Sequence, residues 1–201
     1  TSGIQEGTVT AMYCDYASNS QLWFSTIGYI NRAYVSLPVS EFGSRTGLKS
    51  TIGDFREYNG SVFVSCDEGL YGSFVDDSGR VRFSRLEGLD FRASDLLTTT
   101  LQDGRVLIAS TINGLYQVDE EGSISNFLDR VSITAIKADK NDPSTLLAGS
   151  AEGIILTLRN LTGEWDLLYE SKRNTVRGSM QSIEQSGDSE WWLQTSEPYS
   201  L

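Results

Sequence analysis

The sequence repeats a unit of about 40 to 45 residues, and that period constrains the fold more than any single motif. Each unit runs turn, apolar stretch, glycine turn, second strand-like stretch, third turn. The turn before the apolar stretch falls at Asn19, Gly60, Gly104, Ser144 and Gly187, and the glycine after it at 28, 69, 114 and 153. The third turn has glycine at 79, 122 and 163. Glycine suits these places because tight hairpin turns need positive φ, which costs a residue with a Cβ roughly 1 kcal/mol. A period of this length is that of propeller blades, each a four-stranded antiparallel sheet.

The apolar stretches support the same reading. A strand buried on one face alternates, whereas Leu22-Trp23-Phe24, Val62-Phe63-Val64, Val106-Leu107-Ile108-Ala109 and Leu146-Leu147-Ala148 do not. Continuous apolar residues over three or four positions fit a strand covered on both sides, as the middle strands of a blade are by its neighbours. A helical solenoid is the competing architecture. The segments between turns are too short for helices and rich in Val, Ile, Thr and aromatic residues, which favours strands.

The predicted fold is therefore all-β: a propeller of four-stranded antiparallel blades, with units at about 8–48, 49–90, 91–129, 130–174 and a partial fifth at 175–201. Two arrangements accommodate the partial unit. A five-bladed ring closes if Thr1 to Gly7 supplies the missing outer strand; otherwise the chain is part of a larger propeller. An open arc would expose apolar sheet faces, which further blades or a partner chain would have to cover. Pro38 cannot donate to a ladder and belongs at a strand start or edge.

Composition excludes several functions. Of the 201 residues 39% are apolar, an ordinary proportion for a globular chain, and a chain of this length can bury roughly 70% of its unfolded surface. The net charge of -11 argues against a nucleic-acid partner, since phosphate neutralisation needs clustered Lys and Arg. No run approaches the roughly 20 apolar residues of a membrane span, so direct membrane insertion is not expected. Cys14 and Cys66 occupy different positions within different units, which implies small buried thiols rather than a disulfide. Asn59-Gly60-Ser61 and Asn160-Leu161-Thr162 fit the glycosylation acceptor pattern, a triplet common by chance.

The chain contains no histidine, which removes the commonest general base, the usual Ser-His-Asp and Cys-His arrangements and most zinc sites. No metal, cofactor or catalytic set is expected. The acidic pairs Asp76-Asp77 and Glu120-Glu121 sit in turns whose polarity the hairpins already explain. Asp67, Glu68, Asn113 and Glu152 differ: each lies just before the repeat glycine, between the second and third strands of its unit. Those loops share one end of the sheets with the connections between units, where Arg92, Arg130, Lys172 and Arg173 fall. Variable loops on a fixed scaffold are where binding residues concentrate, so Asp67, Glu68, Asn113, Glu152, Arg92 and Arg130 are candidate ligand contacts. Turn polarity alone is the plainer explanation. At the chain's end, Trp191 and Trp192 point opposite ways on a strand, one able to fill the core and the other to meet a partner.

The phrase Asp103-Gly104-Arg105-Val106-Leu107-Ile108-Ala109-Ser110-Thr111, followed by Asn113-Gly114-Leu115-Tyr116, resembles the two-component regulator propeller repeat. Gly47-Leu48, Gly69-Leu70-Tyr71 and Glu87-Gly88-Leu89 match it as well. The usual Trp is replaced by Phe63 and Leu107, and the Gly-Thr pair by Ser65-Cys66 and Ser110-Thr111. The fourth unit, Asn141 to Ser150 with Gly153 and Gly163-Glu164-Trp165, is closer to neuraminidase-type, Vps10-type and degenerate WD repeats. The resemblance implies an extracytoplasmic, non-catalytic sensor propeller that binds a protein, small molecule or glycan and belongs to a larger signalling protein. The alternatives are an intracellular protein-interaction scaffold and a sialidase-like enzyme. The last would need several arginines, among Arg32, Arg92, Arg130 and Arg173, to converge on one carboxylate.

Overall fold

A computed structural model describes residues 9–15, 21–26, 29–34, 42–119 and 121–197. The turns expected at Asn19 and Gly28, the segment Thr1 to Gly7 and Pro38 lie outside the described residues. The chain forms two compact units, Thr1–Phe42 and Gly43–Leu201. In the first, strands β1 (Val9–Asp15), β2 (Gln21–Thr26) and β3 (Tyr29–Tyr34) make one antiparallel sheet in chain order.

The second unit opens with a single 3-10 turn at Ser44–Thr46. Three four-stranded antiparallel sheets follow. They are β4 (Ile52–Tyr58) to β7 (Val81–Arg85) through β5 (Ser61–Cys66) and β6 (Gly69–Val75). Next come β8 (Ala93–Leu101), β9 (Gly104–Thr111), β10 (Gly114–Val118) and β11 (Ile124–Asp129). Then follow β12 (Ile133–Ala138), β13 (Thr145–Ser150), β14 (Ile155–Leu161) and β15 (Glu164–Glu170). The hairpin β16 (Met180–Gln185) and β17 (Trp191–Thr195) ends the unit. Among the described residues no helix is long and apolar enough to cross a membrane.

The first strands of successive sheets lie against one another, β4 beside β8, β8 beside β12 and β12 beside β16. The sheets therefore stack face to face, and burial falls from the middle strands to the outermost. The six residues Val106 to Thr111 of β9 are all buried, whereas six of the seven residues of β15 are exposed. Alternate side chains of β9 serve two cores. Leu107 and Ala109 pack with Tyr58, Phe63, Leu70 and Leu96, while Val106 and Ile108 pack with Ile133, Ile136, Leu146 and Leu156. The unbroken apolar text of this strand follows from having a sheet on each side. The last hairpin behaves differently: β17 alternates between half-buried and exposed residues, because only one face of it meets a core.

The glycine before each third strand answers to two constraints. Gly114 has φ of 117°, and a Cβ there would stand 1.7 Å from the carbonyl oxygen of Leu128 on β11. Gly69, one repeat earlier, has φ of 135° and would meet the Leu89 carbonyl oxygen at 2.2 Å. Positive φ and close backbone approach together exclude any side chain. Gly114→Val should therefore cost at least about 2 kcal/mol, a fall in Tm of roughly 4 °C or more for a domain of this size. Gly72→Ala, where a Cβ makes only ordinary contacts, is the matched control in thermal denaturation and should change Tm little.

Cys66 is a free, fully buried thiol, and burial pushes its pKa up, so it is poorly reactive. Of the two glycosylation triplets, Asn59 is exposed at a hairpin turn, but Asn160 is only 4% exposed and inaccessible in the folded chain.

Candidate functional site

Two places at the same end of the stacked sheets gather polar side chains. The first comprises the loops between second and third strands. Arg92 Nη1 lies 3.4 Å from Asp67 Oδ1, and Arg173 Nη2 lies 3.3 Å from Glu152 Oε1. In both cases a carboxylate before the repeat glycine meets an arginine of the following connection. The third such loop breaks the pattern. Arg130 pairs with its neighbour Asp129 at 3.3 Å, and the Asn113 backbone N–H donates to Thr111 Oγ1. Glu68 accepts from the Tyr71 hydroxyl at 3.1 Å.

These pairs are solvent-exposed, where an ion pair contributes little to stability. Backbone bonds do more to hold the loops. Asn174 N–H donates to Glu152 O at 2.9 Å and Val176 N–H to Gly153 O at 3.2 Å. Around Glu152 and Arg173 an open hollow of about 750 Å³ also takes in Asn174, Arg177 and Glu197. The candidate arginines Arg92, Arg130 and Arg173 each face a different carboxylate and do not converge.

The second place lies between the first strands. A cleft of about 390 Å³ is lined by residues of β4, β8, β12 and β16. Each of these strands carries a bulge near its start. Pairing shifts between Ile52 and Phe55, Ala93 and Asp95, Ile133 and Ala135, and Met180 and Ser182. A bulge adds one unpaired residue and re-aims the side chains around it. Ser94, Thr134 and Gln181 occupy the extra positions, Gly53 and Asp54 both fall within the shift of β4, and all five line the cleft.

Asp54 and Asp95 stand at equivalent positions of β4 and β8 and both tie one sheet to the next. Asp54 Oδ2 accepts from the Leu96 backbone N–H at 2.9 Å, and Asp95 Oδ2 accepts from the Ile136 N–H at 3.1 Å. Thr134 makes the corresponding tie to β16, donating its hydroxyl to Met180 O at 2.6 Å. Arg56 sits between the carboxylates, Nη1 at 3.3 Å from Asp54 Oδ1 and Nη2 at 3.9 Å from Asp95 Oδ1. Across the cleft Lys137 Nζ contacts Glu184 Oε2 at 2.8 Å and holds that carboxyl below its usual pKa.

Burial has the opposite effect on Asp95. Its side chain is 27% exposed, and desolvation pushes its pKa up, aided by the nearby Asp54 charge and opposed by the Ile136 N–H and Arg56. The cleft presents acceptors, donors and both signs of charge. Among the described residues no group of three or more His, Cys, Asp or Glu is placed to hold a metal.

None of the cleft residues was among the sequence candidates. The one available signal was the recurrence of an aspartate, Asp54 and Asp95, at the repeat interval on a first strand. Trp191 packs beside Ala135, Met180 and Ile183, and Trp192 is 65% exposed on the other face of β17.

No family model matches the chain, and no curated protein does. Solved structures do resemble it. The extracellular domain of the hybrid two-component system BT4673 from B. thetaiotaomicron aligns with a TM-score of 0.57 at 15% identity over 92% of this chain. A second crystal structure of that domain, described as a one-component system, gives the same values. The chain spans 25% of the length of that domain. Virginiamycin B lyase from Staphylococcus aureus aligns with a TM-score of 0.48 at 17% identity, over 94% of this chain and 64% of its own. The sheets and the BT4673 likeness together establish an all-β, propeller-type fold.

The raised Asp95 pKa has a defined sign in stability. A carboxyl that holds its proton more tightly when folded makes the protein less stable as pH rises from the usual carboxylate range, about 4, through the folded value. Asp95→Asn keeps an oxygen for the Ile136 N–H and removes the charge. The Tm of Asp95→Asn minus that of the wild type should therefore be more positive at pH 7 than at pH 3.5. A difference that is flat or reversed across that range would contradict the assignment.

Proposed function

We propose that this chain is a non-catalytic recognition module, a sensor section of a larger signalling protein, that binds a small polar ligand at the loop-bearing end of its sheets. The observation that carries this reading is the 390 Å³ cleft, in which polar side chains from four sheets converge on rigid strands. A pre-formed concave site with a few placed polar groups is the usual form of a small-molecule site. The likeness to an extracellular sensor domain supports the same role and an extracytoplasmic setting. The loop residues Asp67, Glu68, Glu152, Arg92 and Arg173, at the same end of the sheets, are the proposed secondary contacts for a larger ligand or partner. Asn113 and Arg130 lie along the same end without facing each other. The exposed ring of Trp192 is the proposed contact for a neighbouring blade or partner chain.

A sialidase-like reading draws no support, because the loop arginines are spent on separate carboxylates. The test is a thermal-shift and calorimetric screen of the purified chain against sugars, amino acids, amines, nucleosides and dicarboxylates. At least one class should raise Tm saturably, and Arg56→Ala should change that binding by at least about tenfold, weakening it for a ligand that accepts from the guanidinium and tightening it for a cation that competes with it. Binding indifferent to Arg56, or chemical turnover of the bound compound, would overturn the proposal.

A further inference from the structure

We infer that the cleft between the first strands takes a small organic cation, a protonated amine, with the carboxylates of Asp95 and Asp54 as its counter-ions. The inference rests on that cleft being the ligand site. Three carboxylates, Asp54, Asp95 and Glu184, line it against two cations, Arg56 and Lys137. Lys137 and Glu184 close on each other at 2.8 Å and cancel. One guanidinium is left to serve two aspartates.

The service is unequal. Arg56 reaches Asp54 at 3.3 Å but stays 3.9 Å from Asp95, beyond a hydrogen bond. The Ile136 N–H holds Asp95 Oδ2 in place, and Oδ1 faces Arg56 without a hydrogen bond from it, so it can accept from a guest. Asp54 is fixed in the same way by Leu96. The cleft thus holds a partly desolvated carboxylate, anchored through one oxygen, whose nearest cation stands at ion-pair but not hydrogen-bond distance.

An ammonium meets that need, being a compact charge with up to three donors that can reach both aspartates and a neighbouring hydroxyl. Ser94, which also lines the cleft, offers such a hydroxyl. A divalent metal fits poorly, because hard cations take six or more oxygens and no third carboxylate joins the pair. An anion would meet cations already engaged by Asp54 and Glu184. The volume, near the lower end for ligand pockets, suits a molecule of a few to a dozen heavy atoms.

The experiment is calorimetry and thermal shift on the purified chain near pH 7 with ethanolamine, putrescine and lysine as amine probes, and glucose and succinate as controls. Saturable binding of an amine, with neither control binding, is the expected result. Asp95→Asn should weaken it by at least about tenfold, and Lys137→Ala should tighten it, because Glu184 is then uncompensated. The Lys137 variant decides the matter even if Asp95→Asn folds poorly, since Lys137 is a surface ion-pair partner. Glucose or succinate binding that depends on Arg56 would overturn the amine assignment and leave the cleft as the ligand site. Amine binding unchanged in both variants would place the amine elsewhere and also overturn it. No binding by any class in the wider screen would remove the site itself.

Discussion

The structure depends on the middle strand of each sheet being covered on both faces. In β9 the alternation that normally separates core from solvent instead separates one core from another, with Leu107 and Ala109 facing back and Val106 and Ile108 facing forward. Neither face can be hidden by the sheet itself. The sheets β8–β11 and β12–β15 therefore each contribute to two cores and are stabilised by their place in the stack. Burial of apolar surface at about 25 cal/mol per Å² supplies the driving force, while the polar ties between first strands set how one sheet sits on the next.

Those ties place the chemistry. Close stacking brings the first strands together, and their backbone N–H groups at the bulges need acceptors. Asp54 and Asp95 supply them across the gap. A carboxylate recruited to satisfy a backbone donor is thereby held in a partly buried position beside a second one, with Arg56 between. The contacts that join the sheets thus also order the polar groups of the cleft.

The period, the strand class and the two-sided burial of β9 were readable from residues alone, because turn glycines and unbroken apolar runs are local signals. Gly114 shows how far such a signal reaches. Its positive φ was legible, whereas the approach of the Leu128 carbonyl depends on a neighbouring strand. The loop carboxylates were placed correctly just before their glycines, yet only Asp67 and Glu152 meet an arginine of the next connection; Arg130 turned instead to Asp129. The cleft escaped notice altogether. Asp54 and Asp95 read as ordinary polar positions on alternating strands, and their convergence arises from the bulges and from which strands become neighbours. Neither leaves a mark on the local text.

The bulges have a consequence for how such a domain can diversify. Gly53, Ser94, Thr134 and Gln181 stand outside the pairing of their own sheets while bordering the cleft. Cross-strand register therefore places no requirement on the side chains of Ser94 and Gln181, whereas Thr134 also ties its sheet to Met180. A lineage could exchange Ser94 and Gln181, altering the shape and polarity of the cleft, without unpicking a single rung of the ladders that hold the scaffold together.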